Sequence, residues 1–382
     1  MKKYLKKYYK ESICLFIILI LSLLNIKKGY LLKSSYSAYF NKQLIWILIG
    51  LILYIFIYKL NFKKIFKIRY ILYILNILLL IYVLLFSKNI NGIKAWINIK
   101  GFTFQPSELT KITYPLAVVN LTKKRKYILP TLLFILPFTL ILLEPDTGNA
   151  ILLFLIYIYL LINKNNKSFI YTCMFIFFIL ILSLLFIFKY KPDILINLFN
   201  GKLYYRYKRI MEYKNNYQIN NALIGIGNAS LLPIKFNRIL IYIPEGLTDF
   251  MFSFNICNFG ILISLLLVFI YIYFSYLILN KYIKIKNIIH KKLIGSFLTI
   301  FIIQGIYNIL MNIGLLPIMG IPLPFFSYGG SNIITYFIFY ALITKKISSI
   351  EDKGNNNYTN NYRKVQMDNH SYIHKEELQK QV

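Results

Sequence analysis

Long apolar runs separated by short polar breaks fill the chain from residue 13 to residue 344. A helix needs roughly 20 apolar residues to span the hydrocarbon of a bilayer. Segments near that size lie at 13–30, 43–60, 68–87, 106–122, 127–143, 147–162, 168–188, 249–279, 293–313 and 327–344. The pattern predicts an all-α, polytopic integral membrane protein of about ten transmembrane helices. A large extracytoplasmic loop, from Lys189 to Thr248, would join the seventh and eighth. A basic N-terminal stretch, 1–12, precedes the transmembrane domain, 13–345. Residues 346–382 are polar and Asn-rich and read as a disordered cytoplasmic tail.

Orientation follows from the basic residues of short loops. Lys2, Lys3, Lys6, Lys7 and Lys10 open the chain. Lys59 to Arg69, Lys123 to Lys126, the pair Lys164 and Lys167, Lys281 to Lys292, and Lys345 with Lys346 fall in alternate breaks. These positions face the cytoplasm, and both termini with them. Lys27, Lys28 and Lys33 lie on the other side, so the contrast is one of degree. The N-terminus has the basic start of a signal peptide but no A-x-A site, and reads as an uncleaved first span.

Charge changes this picture in one respect. The 45 Lys and Arg against 13 Asp and Glu give a net charge of +32. An AT-rich genome would produce much of that excess; attraction to anionic lipid is its residual meaning. No nucleic-acid module or basic amphipathic stripe is present. The acids are placed unevenly. Glu11 opens the first span, and Glu351, Asp352, Asp368, Glu376 and Glu377 lie in the tail. Glu108, Glu144, Asp146, Asp193, Glu212, Glu245 and Asp249 all map to the outer side. Carboxylates near a membrane are costly, so their concentration there points to outer-face chemistry or binding. His290, His370 and His374 are cytoplasmic, and Cys14, Cys173 and Cys257 sit in apolar runs without metal spacing. Ser-His-Asp and Cys-His catalysis are thereby excluded outside, leaving Asp, Glu, Tyr or Lys as acid or base.

Four outer segments carry the candidate chemistry. The first runs from Asn91-Gly-Ile-Lys94-Ala-Trp96 to Gln105-Pro-Ser107-Glu108-Leu-Thr-Lys111. Pro106 suits a first helical turn, and Glu108 and Lys111 share a helix face at i and i+3. Trp96 could equally be an interfacial belt residue. An intramembrane lysine needs a partner, and the second segment, Glu144-Pro-Asp146-Thr-Gly148, offers one; a Lys111–Asp146 pair is expected. The third is Pro244-Glu245-Gly-Leu-Thr248-Asp249-Phe250. Asp249 would sit at the mouth of the eighth helix, with capping by Asp249 or Thr248 as the competing reading. The fourth, Asn312 to Ser331, is apolar but interrupted by Pro317, Pro322 and Pro324 and by four glycines, and contains Ser327 and Tyr328. Such backbone is tolerated at membrane depth only when buried in protein or lining a cavity.

These residues resemble the SEDS family (shape, elongation, division and sporulation), typified by RodA and FtsW. Gln105-Pro-Ser-Glu-x-x-Lys111, Glu144-Pro-Asp-x-Gly148, Pro244-Glu-x-x-Thr-Asp-Phe250 and Gly320-Ile-Pro-Leu-Pro-Phe-Phe-Ser-Tyr-Gly-Gly-Ser331 occur in family order. Gly320-Ile-Pro-Leu-Pro is closer to the RodA type. The resemblance implies a peptidoglycan glycosyltransferase that polymerises lipid II at the outer face of the bacterial cytoplasmic membrane, together with a class B penicillin-binding protein. It implies that Asp249 is the essential aspartate, and that Trp96, Lys94, Gln105, Ser107, Glu108, Lys111, Asp146, Glu245, Thr248, Ser327 and Tyr328 bind substrate or support the cavity. The chain departs from the family pattern at Ala95, at Cys257-Asn258, in the thinned glycines of 225–230 and in a shortened stretch after Gly314.

The expected reaction is inverting glycosyl transfer with Asp249 as general base. The leaving undecaprenyl diphosphate needs positive charge, for which Lys94, Arg206, Lys208 and Arg209 are candidates; a divalent cation, Mg²⁺ or Mn²⁺, could share that role. Leu315–Phe326 and Ile239–Ile243 are the expected apolar contact surface for the transpeptidase. Two rivals stand beside this reading: a lipid II flippase, and a catalytically weakened scaffold that activates a penicillin-binding protein.

Overall fold

The structure is a computed structural model, and it describes residues 2–32, 37–88, 94–99, 101–123, 127–162, 213, 216–232 and 243–345. The span expected at 168–188, most of the long outer loop with Arg206, Lys208 and Arg209, and the tail 346–382 lie outside the described residues. The other nine expected spans are all helical. They are α1 (Lys2–Leu32), α2 (Ser37–Lys59), α4 (Arg69–Phe86), α5 (Pro106–Lys123), α6 (Ile128–Leu143), α7 (Thr147–Leu161), α9 (Met251–Ile283), α10 (Ile288–Asn312) and α11, at 330–345. Among the described residues two short helices join them: α3 (Phe62–Lys67) and α8 (Tyr217–Gly227). Among the described residues five helices are long and apolar enough to cross a membrane.

The bundle is ordered by burial. In α10, 61% of the apolar window is buried inside the protein, against 22% in α2. Hence α10 is a central helix, and α5, α7 and α9 pack around it. On α2, Leu48, Ile52, Ile55 and Phe56 are exposed, as lipid-facing side chains are. Aromatic contacts fasten α11 to the centre, with Phe297 stacked on Phe339 at 4.3 Å.

Besides the short helices α3 and α8, the described residues hold another element not expected from the sequence, an antiparallel hairpin of β1 (Ile97–Ile99) and β2 (Phe102–Phe104). Gly101 makes its turn at φ +82, a conformation glycine adopts without steric cost. Phe102 meets Trp46 of α2 edge-on at 5.4 Å, and Lys42 donates to the Gly101 carbonyl at 2.8 Å. The hairpin thus delivers the chain into α5 from a fixed position.

Residues 313–329, between α10 and α11, form no regular element, and their carbonyls are met by side chains instead. Tyr307 donates to the Pro317 carbonyl, Asn308 to Ile321, Gln304 to Pro322 and Tyr271 to Pro324. Ser22 donates to Phe326 and Gln43 to Ser327. Buried irregular backbone without such donors would cost several kcal/mol per group, on the order expected in hydrocarbon. Ile318, Ile321, Leu323, Phe325 and Phe326 are buried in the protein's own core. This corrects the expectation that Leu315–Phe326 offers an apolar docking surface: of its large apolar side chains only Leu315 is strongly exposed. Ile243 is buried as well, and Ile239 to Tyr242 lie outside the described residues.

Candidate active site

The four segments converge. A cavity of about 580 Å³ is lined by Trp96, Gln105, Glu108, Asp146, Glu245, Thr248, Asp249 and Tyr328 from the expected set. Asn216, Gln218, Ser331 and Asn332 add polar groups to its wall. Ser107, Lys111 and Ser327 lie behind the lining, all of them buried. Lys94 is exposed and outside the lining, so it is not brought to the cavity.

Asp249 ends a tight turn that precedes α9. Phe250 donates its N–H to the Glu245 carbonyl at 3.0 Å, and Thr248 donates its hydroxyl to the Glu245 carboxylate at 2.8 Å. The helix cap is Phe250, which has no side-chain cap bond. The N-cap position thus falls on Phe250 rather than on Asp249 or Thr248, and the Thr248 hydroxyl is spent on Glu245. The cap comes from α10: Asn312 Oδ1 accepts from the Ser253 N–H at 2.8 Å.

The expected Lys111–Asp146 pair is corrected. Lys111 Nζ lies 2.8 Å from Glu108 Oε2, one turn away on the same helix. Its second partner is Gln304 Oε1 at 3.2 Å, which also accepts from the Tyr336 hydroxyl. Asp146 is engaged elsewhere. It caps α7 through the Asn149 N–H and also accepts from Gln105, Ser107 and the Asn149 amide, at 2.7 to 3.1 Å. Gly148, in the same motif, allows α7 to approach the irregular segment; a Cβ there would stand 2.4 Å from the Met319 carbonyl.

Beside Asp146, Glu144 is buried, and among the described residues neither carboxylate oxygen has a hydrogen-bond partner. Burial first, and the Asp146 carboxylate second, push its pKa from 4.5 up to about 9. Its proton is held more tightly in the folded chain than in the unfolded one. This stabilisation is complete below about 4.5 and is lost as pH rises to about 9. Thermal unfolding in detergent should therefore move to lower temperature between pH 6 and pH 9.5, and Glu144→Gln should flatten that slope. An unchanged slope in the variant would show that Glu144 is not the group responsible.

Among the described residues no group of three or more His, Cys, Asp or Glu could hold a metal ion. No step is assigned to the divalent cation that could share the diphosphate's charge. The described lining is acidic, with Glu108, Asp146, Glu245 and Asp249.

Sequence reasoning missed Gln304 and Asn308, and assigned no role to Asn312. Their signal was available: polar amides at i, i+4 and i+8 mark one face of an otherwise apolar helix.

The family model for cell cycle proteins of the FtsW, RodA and SpoVE type matches residues 7–351. The probable peptidoglycan glycosyltransferase FtsW of Wigglesworthia glossinidia brevipalpis is 27% identical, over 90% of this chain and 95% of that protein. The peptidoglycan glycosyltransferase MrdB of Helicobacter pylori is also 27% identical, over 82% of this chain and 85% of its own length. Two solved structures share the fold. One is a chain from a peptidoglycan synthase complex, with TM-score 0.71 and 21% identity over 89% of this chain and 97% of that one. The other is the rod shape determining protein RodA of Thermus thermophilus, with TM-score 0.64 and 22% identity over 88% and 95%. With the motif order, the helix arrangement and the sequence match in agreement, this chain belongs to the FtsW, RodA and SpoVE family of cell cycle proteins.

Proposed function

We propose that this multi-pass membrane protein is a peptidoglycan glycosyltransferase that polymerises lipid II into glycan strands at the outer face of the bacterial cytoplasmic membrane. One observation carries the reading: Asp249 lines a polar cavity assembled from all four motif segments, in a chain whose full-length relatives are named peptidoglycan glycosyltransferases.

In this mechanism Asp249 takes the proton from the 4-hydroxyl of the acceptor N-acetylglucosamine. That oxygen forms a bond to C1 of the N-acetylmuramic acid on the lipid-linked donor. The bond from C1 to the diphosphate breaks, and undecaprenyl diphosphate leaves with the electron pair. Attack opposite the leaving group inverts C1. Gln105 and Tyr328 present polar atoms to the sugars, and Trp96 an aromatic face. Glu108, held by Lys111, and Asp146, held by Ser107 and Asn149, keep the wall rigid.

A flippase would need a passage continuing below the cavity. The floor instead holds Lys111, Glu108, Gln304 and Tyr336, each at most 2% exposed. Lipid II in vesicles containing the purified chain distinguishes the two: the enzyme makes muramidase-sensitive polymer, whereas a carrier moves lipid II across the bilayer and makes none. A class B penicillin-binding protein is the proposed partner, in keeping with the synthase complex whose chain shares this fold.

The proposed topology makes a separate prediction. In a background without the native cysteines, a cysteine at Asn220 should react with an impermeant thiol reagent in intact spheroplasts. A cysteine at Lys286 should react only after permeabilisation. The reverse pattern would put Asp249 on the wrong side of the membrane.

A further inference from the structure

The central helix α10 presents Gln304, Asn308 and Asn312 on one face, each fully buried. Such amides are costly in an apolar bundle unless every polar atom is used, and what they bond is specific. The Asp249 carbonyl accepts two of them, Asn308 Nδ2 at 2.9 Å and Asn312 Nδ2 at 2.9 Å. Asn312 Oδ1 accepts from the N–H and hydroxyl of Ser253, at 2.8 and 2.7 Å. It thereby supplies from another helix the cap that Phe250 cannot give. Asn308 spends its other N–H on the Ile321 carbonyl at 2.7 Å. Next to Ile321, Gly320 faces the Asp249 carboxylate: a Cβ there would stand 3.7 Å from Oδ2.

We propose that Asn308 and Asn312 are positioning residues that fix the Asp249 peptide relative to the Gly320–Pro322 wall and so aim the Asp249 carboxylate. The inference rests on Asp249 being the base of the proposed reaction. Asn312 holds the peptide from the α9 side. Asn308 ties the same peptide to the opposite wall. Gln304, one turn deeper, extends the row to Pro322 at 2.8 Å and to Lys111. A misplacement of about 1 Å in a reacting group can cost 10²-fold in rate. Two amides that merely filled backbone valences would instead affect folding and leave the reaction parameters alone.

The test uses the purified full chain with its transpeptidase partner and labelled lipid II. Asn308→Ala, Asn312→Ala and Asn312→Asp are compared with Ser264→Ala, which removes a buried hydrogen bond further along α9. Three quantities are read: kcat against KM, the pH profile, and hydrogen exchange of amides 250–254. Asn312→Ala should lower kcat about 10- to 100-fold with KM within about threefold, and should speed exchange at 250–254. Asn312→Asp retains an acceptor for Ser253, so exchange should stay slow. Its added carboxylate should move the acid limb of the profile to higher pH, because a like charge disfavours ionised Asp249. A kcat for Asn308→Ala and Asn312→Ala within about threefold of the Ser264→Ala control, or losses explained by an equal loss of folded protein, would overturn the proposal. Should Asp249→Asn prove active, the base assignment falls. Exchange then decides the clamp separately: faster exchange in Asn312→Ala supports it, and unchanged exchange overturns it.

Discussion

Asp249→Asn is expected to lower the rate of glycan polymerisation by about 10² to 10⁴, the range a positioned general base contributes. The substitution keeps shape and removes the basic oxygen. Folding should survive it, because the bonds that fix this turn run through the backbone: the Asp249 carbonyl to Asn308 and Asn312, and the Phe250 N–H to Glu245. No histidine replaces it in the proposed topology, which puts His290 on the cytoplasmic side with His370 and His374 of the tail. Asp249→Glu, one methylene longer, should retain more activity than the Asn variant. Unfolding temperature and detergent elution profile serve as the controls. Near-normal polymer from the Asn variant would remove the base from the mechanism.

The second large effect concerns Lys111. Its side chain is 0% exposed and its partner Glu108 2% exposed. Lys111→Ala leaves a carboxylate buried without its counter-ion, a loss of about 3 to 5 kcal/mol for a buried pair. Lys111→Met combined with Glu108→Gln should recover much of it, since the desolvated charge disappears from both sides. A double-mutant cycle in detergent unfolding should therefore show strong coupling between 108 and 111. The same cycle between Lys111 and Asp146 should be additive within about 0.3 to 0.5 kcal/mol. Coupling confined to the Lys111–Asp146 cycle would restore the Lys111–Asp146 pairing in place of Lys111–Glu108.

The helices were legible because membrane spans announce themselves by length and composition. The nine expected spans that fall within the described residues are each a helix; most ends are displaced by a few residues, but the first helix begins at Lys2 rather than near 13. Convergence of the four segments was legible too, through the order of their motifs. Lys111 shows where that reading stopped. Glu108 stood one turn away at i and i+3, yet a distant acid looked the better partner. What the sequence does not display is that Asp146 is saturated by Gln105, Ser107 and Asn149. Residues 315–326 failed in the opposite direction. Their apolar character suggested an exposed contact surface, whereas the carbonyls are bonded inward and the side chains fill the core. The hairpin at 97–104 is too short for a period-2 pattern to stand out against its surroundings.

The most direct test of the account is polymerisation of purified, labelled lipid II by the purified chain, with and without the proposed class B penicillin-binding protein partner, resolved as a glycan ladder. The account predicts a ladder that muramidase digests, that grows faster with the partner, and that vanishes when the chain carries Asp249→Asn beside the same partner. Lipid II left unpolymerised by the folded wild-type chain in complex with that partner would contradict it.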